Sequence, residues 1–240
     1  MLKCENVSVK GLIENISFET GNGGFTAIIG KNGSGKTTLA RAIMGEVKHS
    51  GKVRLCKDDI CTLSQKSRAE RLAYLPQMPT VADISVYELA MLGRTPYTSL
   101  LGNISDNDKA AVKNALKLTD MCGFENRRLK TLSGGETKRA FLAMLLAQET
   151  PVLLLDEPTA FMDMQAAAEF TKLLSETGKT LAVIMHDLSL VTKYATNVLV
   201  LDGGKQVFFG SMKDCLDKEI IEKTFSVRKI EKDGEIVFAV

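Results

Sequence analysis

The sequence predicts an α/β fold, a largely parallel sheet flanked by helices, with a β-rich opening and a mainly helical insert. Three observations carry this. Short continuous apolar runs at residues 152–155, 181–185 and 198–201 suit strands buried on both faces of a parallel sheet. Helical periodicity at 164–176 and 188–193 separates them. The apolar run 25–29 passes through a glycine-rich segment into a helical pattern, which makes a strand, loop, helix unit.

In chain order, residues 2–9 and 13–18 alternate apolar and polar and read as strands. A Gly21-Asn22-Gly23-Gly24 turn precedes the run 25–29. Residues 36–46 place Leu39, Ala42 and Ile43 at helical spacing, which Val47 just beyond continues. From Thr80 to Glu149 the pattern is helix after helix: Ser85-Val86-Tyr87-Glu88 is a capping box, Asp106 can cap a helix through Leu118, and residues 140–148 are apolar helix formers. The tail holds a helix-like stretch at 214–223 and a Lys232-Asp233-Gly234 turn between apolar segments. Neither repeat nor linker divides the chain, so one composite domain is expected.

Composition excludes several classes. Of 240 residues 45% are hydrophobic and 25% charged, with 19 Gly and 5 Pro, well under the roughly 25–30% Gly plus Pro of low-complexity chains. A net charge of +2 gives no general field for nucleic acid or anionic lipid. The basic clusters 66–71 and 127–130 lack interleaved aromatics and read as solvated surface, so no nucleic-acid partner is expected. Five scattered cysteines without a C-x-x-C pair read as reduced and mostly buried, in an intracellular compartment. The longest apolar run, 140–147, is far short of the roughly 20 residues that cross a bilayer, and no signal-peptide pattern opens the chain.

Gly30-Lys31-Asn32-Gly33-Ser34-Gly35-Lys36-Thr37 fills every fixed position of G-x-x-x-x-G-K-[ST], directly after a predicted strand and at the start of a predicted helix. Glycines let backbone N–H groups curl inward, and the helix start adds positive potential, so the loop is a phosphate site. Lys36 is expected on the β- and γ-phosphates and the Thr37 hydroxyl on Mg²⁺, with Thr38 beside them. The apolar strand 152–155 runs into Asp156 and Glu157. Successive strand residues face opposite sides, so the acids divide the work: Asp156 holds Mg²⁺ through water and Glu157 polarises the water attacking the γ-phosphate. Leu132-Ser133-Gly134-Gly135-Glu136 precedes a predicted helix, with Ser133 as N-cap and exposed N–H groups forming a second anion site.

These three motifs, in this order and spacing, resemble the ATP-binding cassette (ABC) ATPases, and the resemblance covers nearly the whole chain. It implies a P-loop NTPase (RecA-like) core at about 1–78 and 150–212, carrying an N-terminal antiparallel β subdomain. An inserted α-helical subdomain follows at about 79–149 and a C-terminal extension at about 213–240. It places Gln77 on the Q-loop glutamine that senses Mg²⁺-nucleotide, His186 on the switch histidine that contacts the γ-phosphate, and Asp163 on the D-loop acid that crosses to a partner. Two subunits of such proteins pack head to tail. Ser133, Gly134 and Gly135 of one chain then cover ATP on the phosphate loop of its mate.

The sequence departs from the family pattern in places. The aromatic usual near Val9 and Lys10 is missing, Glu136 and Lys138 stand where Gln is usual, and Met162 stands where Leu is usual. A single cassette with Val86-Tyr87-Glu88-Leu89, Gly93-Arg94-Thr95-Pro96-Tyr97 and Phe225-Ser226-Val227 is similar to the ATPase subunits of iron-siderophore, haem and cobalamin importers. That implies a homodimer on the cytoplasmic face of the membrane and a polytopic permease docked between Gln77 and about Leu101, with an extracytoplasmic substrate-binding protein acting indirectly. A soluble ABC ATPase, such as one serving iron–sulfur cluster assembly, is the alternative.

Overall fold

The computed structural model describes residues 1–79, 82–98, 104–232 and 235–239. Alternation in the first residues makes two half-buried strands, β1 (Leu2–Val9) and β2 (Ile13–Glu19), paired antiparallel. β3 (Phe25–Gly30) is buried along its whole length and feeds the phosphate loop. α1 (Lys36–Ile43) ends earlier than the pattern 36–46 predicts, because Gly45 at φ +70° donates to the Ala42 carbonyl and Glu46 N–H reaches the Arg41 carbonyl. This paired closure satisfies the last carbonyls and turns the chain out of the helix.

β4 (Ser50–Leu55) and the two-residue β5 (Asp58–Asp59) extend the antiparallel portion beyond β1. α2 (Gln65–Ala69) and β6 (Leu72–Leu75) follow. The inserted helices are α3 (Val86–Leu92), α4 (Asp106–Leu118) and α5 (Gly134–Ala147). Thr80 and Leu101, named above as bounds of the helical block and the docking groove, lie outside the described residues. Ser105 rather than Asp106 caps α4: its hydroxyl accepts from Asp108 N–H and the Asp108 carboxylate accepts in return, which leaves Asp106 as the first helical residue.

The chain then alternates through β7 (Val152–Asp156), α6 (Met164–Ser175), β8 (Thr180–Ile184), α7 (Leu188–Tyr194), β9 (Asn197–Asp202) and β10 (Lys205–Ser211). The single predicted tail helix is two, α8 (Met212–Asp217) and α9 (Ile220–Phe225), because Glu219 at φ +55° breaks the helical path between them. A hairpin of β11 (Arg228–Lys232) and β12 (Glu235–Ala239) packs against α7. The predicted turn residues Asp233 and Gly234 are outside the described residues.

The main sheet runs β5-β4-β1-β2-β10-β9-β3-β8-β7-β6. β9, β3, β8, β7 and β6 are parallel to one another, and β10 returns antiparallel to β9. Two-sided burial explains the continuous apolar runs. Ala27, Ile29, Leu153 and Leu155 enter the core under α5 and α6, whereas Ile28, Leu154 and Ile184 face the core under α1, β1 and β2. Among the described residues no helix is long and apolar enough to cross a membrane. All five cysteines are free, but only Cys4 and Cys215 are buried. Cys61 and Cys122 are exposed, the first in a one-turn 3-10 helix and the second in a turn, away from the buried strands and longer helices.

Candidate active site

The sequence segments predicted to act together follow the carboxyl ends of adjacent parallel strands. β3 leads into the phosphate loop, β6 into Gln77, β7 ends at Asp156 and β8 leads to His186. β3 has β9 on one side and β8 on the other, a switch point at which α/β sheets open a ligand crevice.

In the phosphate loop Gly30 admits no larger residue, since a Cβ there would collide with the Leu201 carbonyl and the Ser34 hydroxyl. Asn32 and Gly33 form the exposed tip, and Ser34 is buried with its hydroxyl unpartnered. Gly35 sits at φ +96° as the N-cap of α1, where a Cβ would strike Ile13. Lys36 is buried, and its ammonium donates to the carbonyls of Gly30 (2.8 Å) and Lys31 (3.0 Å), which holds it within the loop. Burial pulls its pKa down while the charges of Glu157 and Asp156 oppose. Thr37 is exposed at the start of α1 and Thr38 half-buried beside it.

Asp156 is buried, and its Oδ1 has no hydrogen-bond partner. Burial raises its pKa, with the neighbouring Glu157 charge adding to the shift, against a Thr37 side-chain hydrogen bond and the charges of Lys36 and His186. β7 stops at Asp156, so strand alternation does not separate the two acids as expected. Instead Glu157 turns out through φ +47°, a left-handed conformation rare for such a residue. Its Oε2 accepts from Gln77 Nε2 at 2.6 Å, and its Oε1 lies 2.6 Å from His186 Nε2. Gln77, Glu157 and His186 thus meet, a direct contact that their spacing in sequence gave no sign of.

Ser133, Gly134 and Gly135 form the start of α5. Ser133 caps α5 and Glu136 closes the box, with its Oε2 accepting the Ser133 N–H at 2.7 Å and Oε1 near Arg127 at 3.3 Å. Gly134 borders a cleft of about 260 Å³ whose other walls include Gln77, Lys138, Phe161 and Met162, and no phosphate-loop residue lines it. Asp163 accepts the Ala166 N–H at 2.9 Å and caps α6. On either side of it Phe161 and Met164 are 88% and 85% exposed, a large apolar surface at the same edge.

A phosphate loop after β3, an acid-tipped β7 on the far side of β8 and an inserted helical block define a cassette-type ATPase. The family model for ABC transporters matches residues 13–160, and the chain belongs to that family. It is 38% identical over 221 residues to the ferric enterobactin transport ATP-binding protein FepC of Escherichia coli, covering 90% of this chain and 82% of that protein. The petrobactin import ATP-binding protein FpuC of Bacillus anthracis is also 38% identical, over 90% of this chain and 81% of its own. Among solved structures, CbiO1 of Clostridium perfringens, part of the transporter complex CbiONQ, superposes with a TM-score of 0.81 at 31% identity, covering 92% and 93% of the two chains. The chain is an ATP-binding, ATP-hydrolysing cassette.

Proposed function

We propose that the chain is the ATPase subunit of a bacterial importer for an iron-siderophore, haem or cobalamin-type ligand, working as a head-to-tail homodimer beneath a separate permease. Glu157, held between Gln77 and His186 at the mouth of the phosphate loop, is the observation that carries the catalytic part. It is placed as the base that polarises water, with His186 and Lys36 on the γ-phosphate side. The loop residues Gly30, Asn32, Gly33, Ser34, Gly35, Thr37 and Thr38 take the phosphates. Ser133, Gly134 and Gly135, at the start of α5, supply the partner's site, and Asp163 crosses to the partner.

Asp156 Oδ1, buried without a partner and next to Thr37, is a hard oxygen donor of the kind a divalent cation takes. Mg²⁺ would fit there, where Thr37, Asp156 and Gln77 would hold it and it would neutralise phosphate charge. The division into a core at about 1–78 and 150–212, a helical subdomain at about 79–149 and a tail at about 213–240 puts the hydrolytic residues in the core and the partner-facing loop in the insert. The import of siderophores by relatives alike over most of their length supports transport rather than iron–sulfur cluster assembly. Docking to the permease holds the subunit at the cytoplasmic membrane face, and an extracytoplasmic binding protein delivers the ligand.

The test is a tagged Glu157→Gln variant extracted from native membranes with ATP and Mg²⁺. It is expected to bind ATP, lose turnover, accumulate as an ATP-bound dimer and co-purify with a many-spanning permease. Unchanged turnover removes Glu157 from the base role, and a soluble scaffold in place of a permease overturns the importer assignment.

A further inference from the structure

We infer that Lys138 is a positioning residue for hydrolysis: it fixes Gln77, and through Gln77 the Glu157 carboxylate, to the first turns of α5. The inference rests on the reading of Glu157 as the base and adds to it the connection that decides when that base is in place.

Lys138 lies on α5, five residues past Ser133, on the wall of the same cleft as Gln77 and Gly134. Its Nζ donates to the Gln77 main-chain carbonyl at 3.4 Å, the one hydrogen bond recorded for it among the described residues. Burial lowers its pKa. A half-buried ammonium needs a partner to offset its lost hydration, and here that partner is a single carbonyl.

Gln77 lies two residues beyond β6, in neither helix nor strand, so contacts from other elements hold it. Its amide passes the restraint to Glu157 Oε2 at 2.6 Å. Glu157 stands on a strained left-handed turn, and Gln77 and His186 are the side chains that orient its carboxylate. A displacement of the α5 start, the helix end assigned to the partner's nucleotide, therefore moves Lys138, then the Gln77 backbone, then the base. Sequence alone marks Lys138 only as an unusual residue after the Ser-Gly-Gly segment.

Lys138→Met keeps the aliphatic stem and removes the donor. In the full-length chain with ATP and Mg²⁺, kcat is expected to fall about tenfold, the loss of one charge-assisted hydrogen bond, with KM and ATP affinity held within about twofold. Lys138→Arg, which retains a donor, is expected to return kcat to within about threefold of the parent. In a Gln77→Ala background, Lys138→Met is expected to cause no further loss, because the side chain that transmits its effect is gone.

An unchanged kcat overturns the inference. So does a loss that adds fully to Gln77→Ala, or one expressed mainly in ATP affinity and not recovered by Arg, since each describes a packing role only. Glu157→Gln is assayed in parallel. If that variant still turns over, the base assignment fails; if it is dead while Lys138→Met is as fast as the parent, only the positioning role fails.

Discussion

Asp156 and Glu157 are sequence neighbours with opposite surroundings. Asp156 ends a buried strand with one oxygen unpartnered, whereas Glu157 swings out to Gln77 and His186. The raised Asp156 pKa means that the fold favours its neutral form. Its relative stabilisation is therefore present below the ordinary value of 3.8 and is lost as pH rises through the raised one. Asp156→Asn, neutral and nearly isosteric, is expected to raise the melting temperature by a few degrees at pH 7, with the gain vanishing in acid, while ATP turnover falls at least about hundredfold. Thermal unfolding at several pH values with a parallel ATPase assay checks both. A lower melting temperature at pH 7 would show that attraction to Lys36 outweighs burial. The type of each residue was legible from its motif. The left-handed turn at Glu157 was not, because strand propensity carries on through an acid as readily as it stops.

At the scale of elements, the inserted helices share one device. Ser85, Ser105 and Ser133 each cap a helix and each receives a carboxylate three residues on, from Glu88, Asp108 and Glu136. Asp108 has a second duty. It meets Arg94 at 2.9 Å, and the same guanidinium reaches Glu149 at 2.7 Å and the Ala147 carbonyl at 2.6 Å, while lying 4.3 Å from the Tyr97 ring centre. Arg94 thus fastens α3 and α4 to the point where α5 gives way to β7. Hydrogen bonds from Ser105 and then Arg94 lower the Asp108 pKa to about 2. This stabilisation is complete above the ordinary 3.8 and lost as pH falls through about 2. Arg94→Met leaves a buried carboxylate without its cation and is expected to cost about 3–5 kcal/mol. Urea unfolding should show a deficit that is largest above about pH 4 and narrows toward pH 2, and a deficit unchanged in acid would point to packing rather than charge. The motif Gly93-Arg94-Thr95-Pro96-Tyr97 stood out in the sequence, but its partners 14 to 55 residues away did not.

At the scale of the whole molecule, one sheet gathers Gln77, Asp156, Glu157 and His186, while no phosphate-loop residue lines the cleft that Gly134 borders. A head-to-tail dimer has two composite sites, each joining one chain's phosphate loop to the other's Ser133 loop. Lys36→Ala and Gly135→Asp are each expected to be inactive as homodimers. Mixed as equal amounts of exchangeable subunits, they form heterodimers with one site wholly intact, and ATPase activity is expected to return to about a quarter of the parental level if sites act independently. Complete silence after confirmed subunit exchange would show that both sites must fire together or that the site is not shared. Sheet order was the least legible feature at this scale. β4, β6 and β10 are short or only half-buried, so their hydrophobic pattern is weak, yet β6 delivers Gln77 and β10 joins the two parts of the sheet.

The sequence by itself determined the phosphate loop, the acid pair, the capped Ser-Gly-Gly helix start and the strands buried on both faces, because each depends on residues close together in the chain. Tertiary structure alone decided which of them meet. Gln77, Glu157 and His186 are separated by 80 and 29 residues and converge because β6, β7 and β8 end side by side. Lys138 reaches Gln77 across 61 residues because α5 packs over that edge. Local pattern encodes which groups a chain carries; the pairing of distant strands and the packing of a helix upon them set the distances at which those groups act.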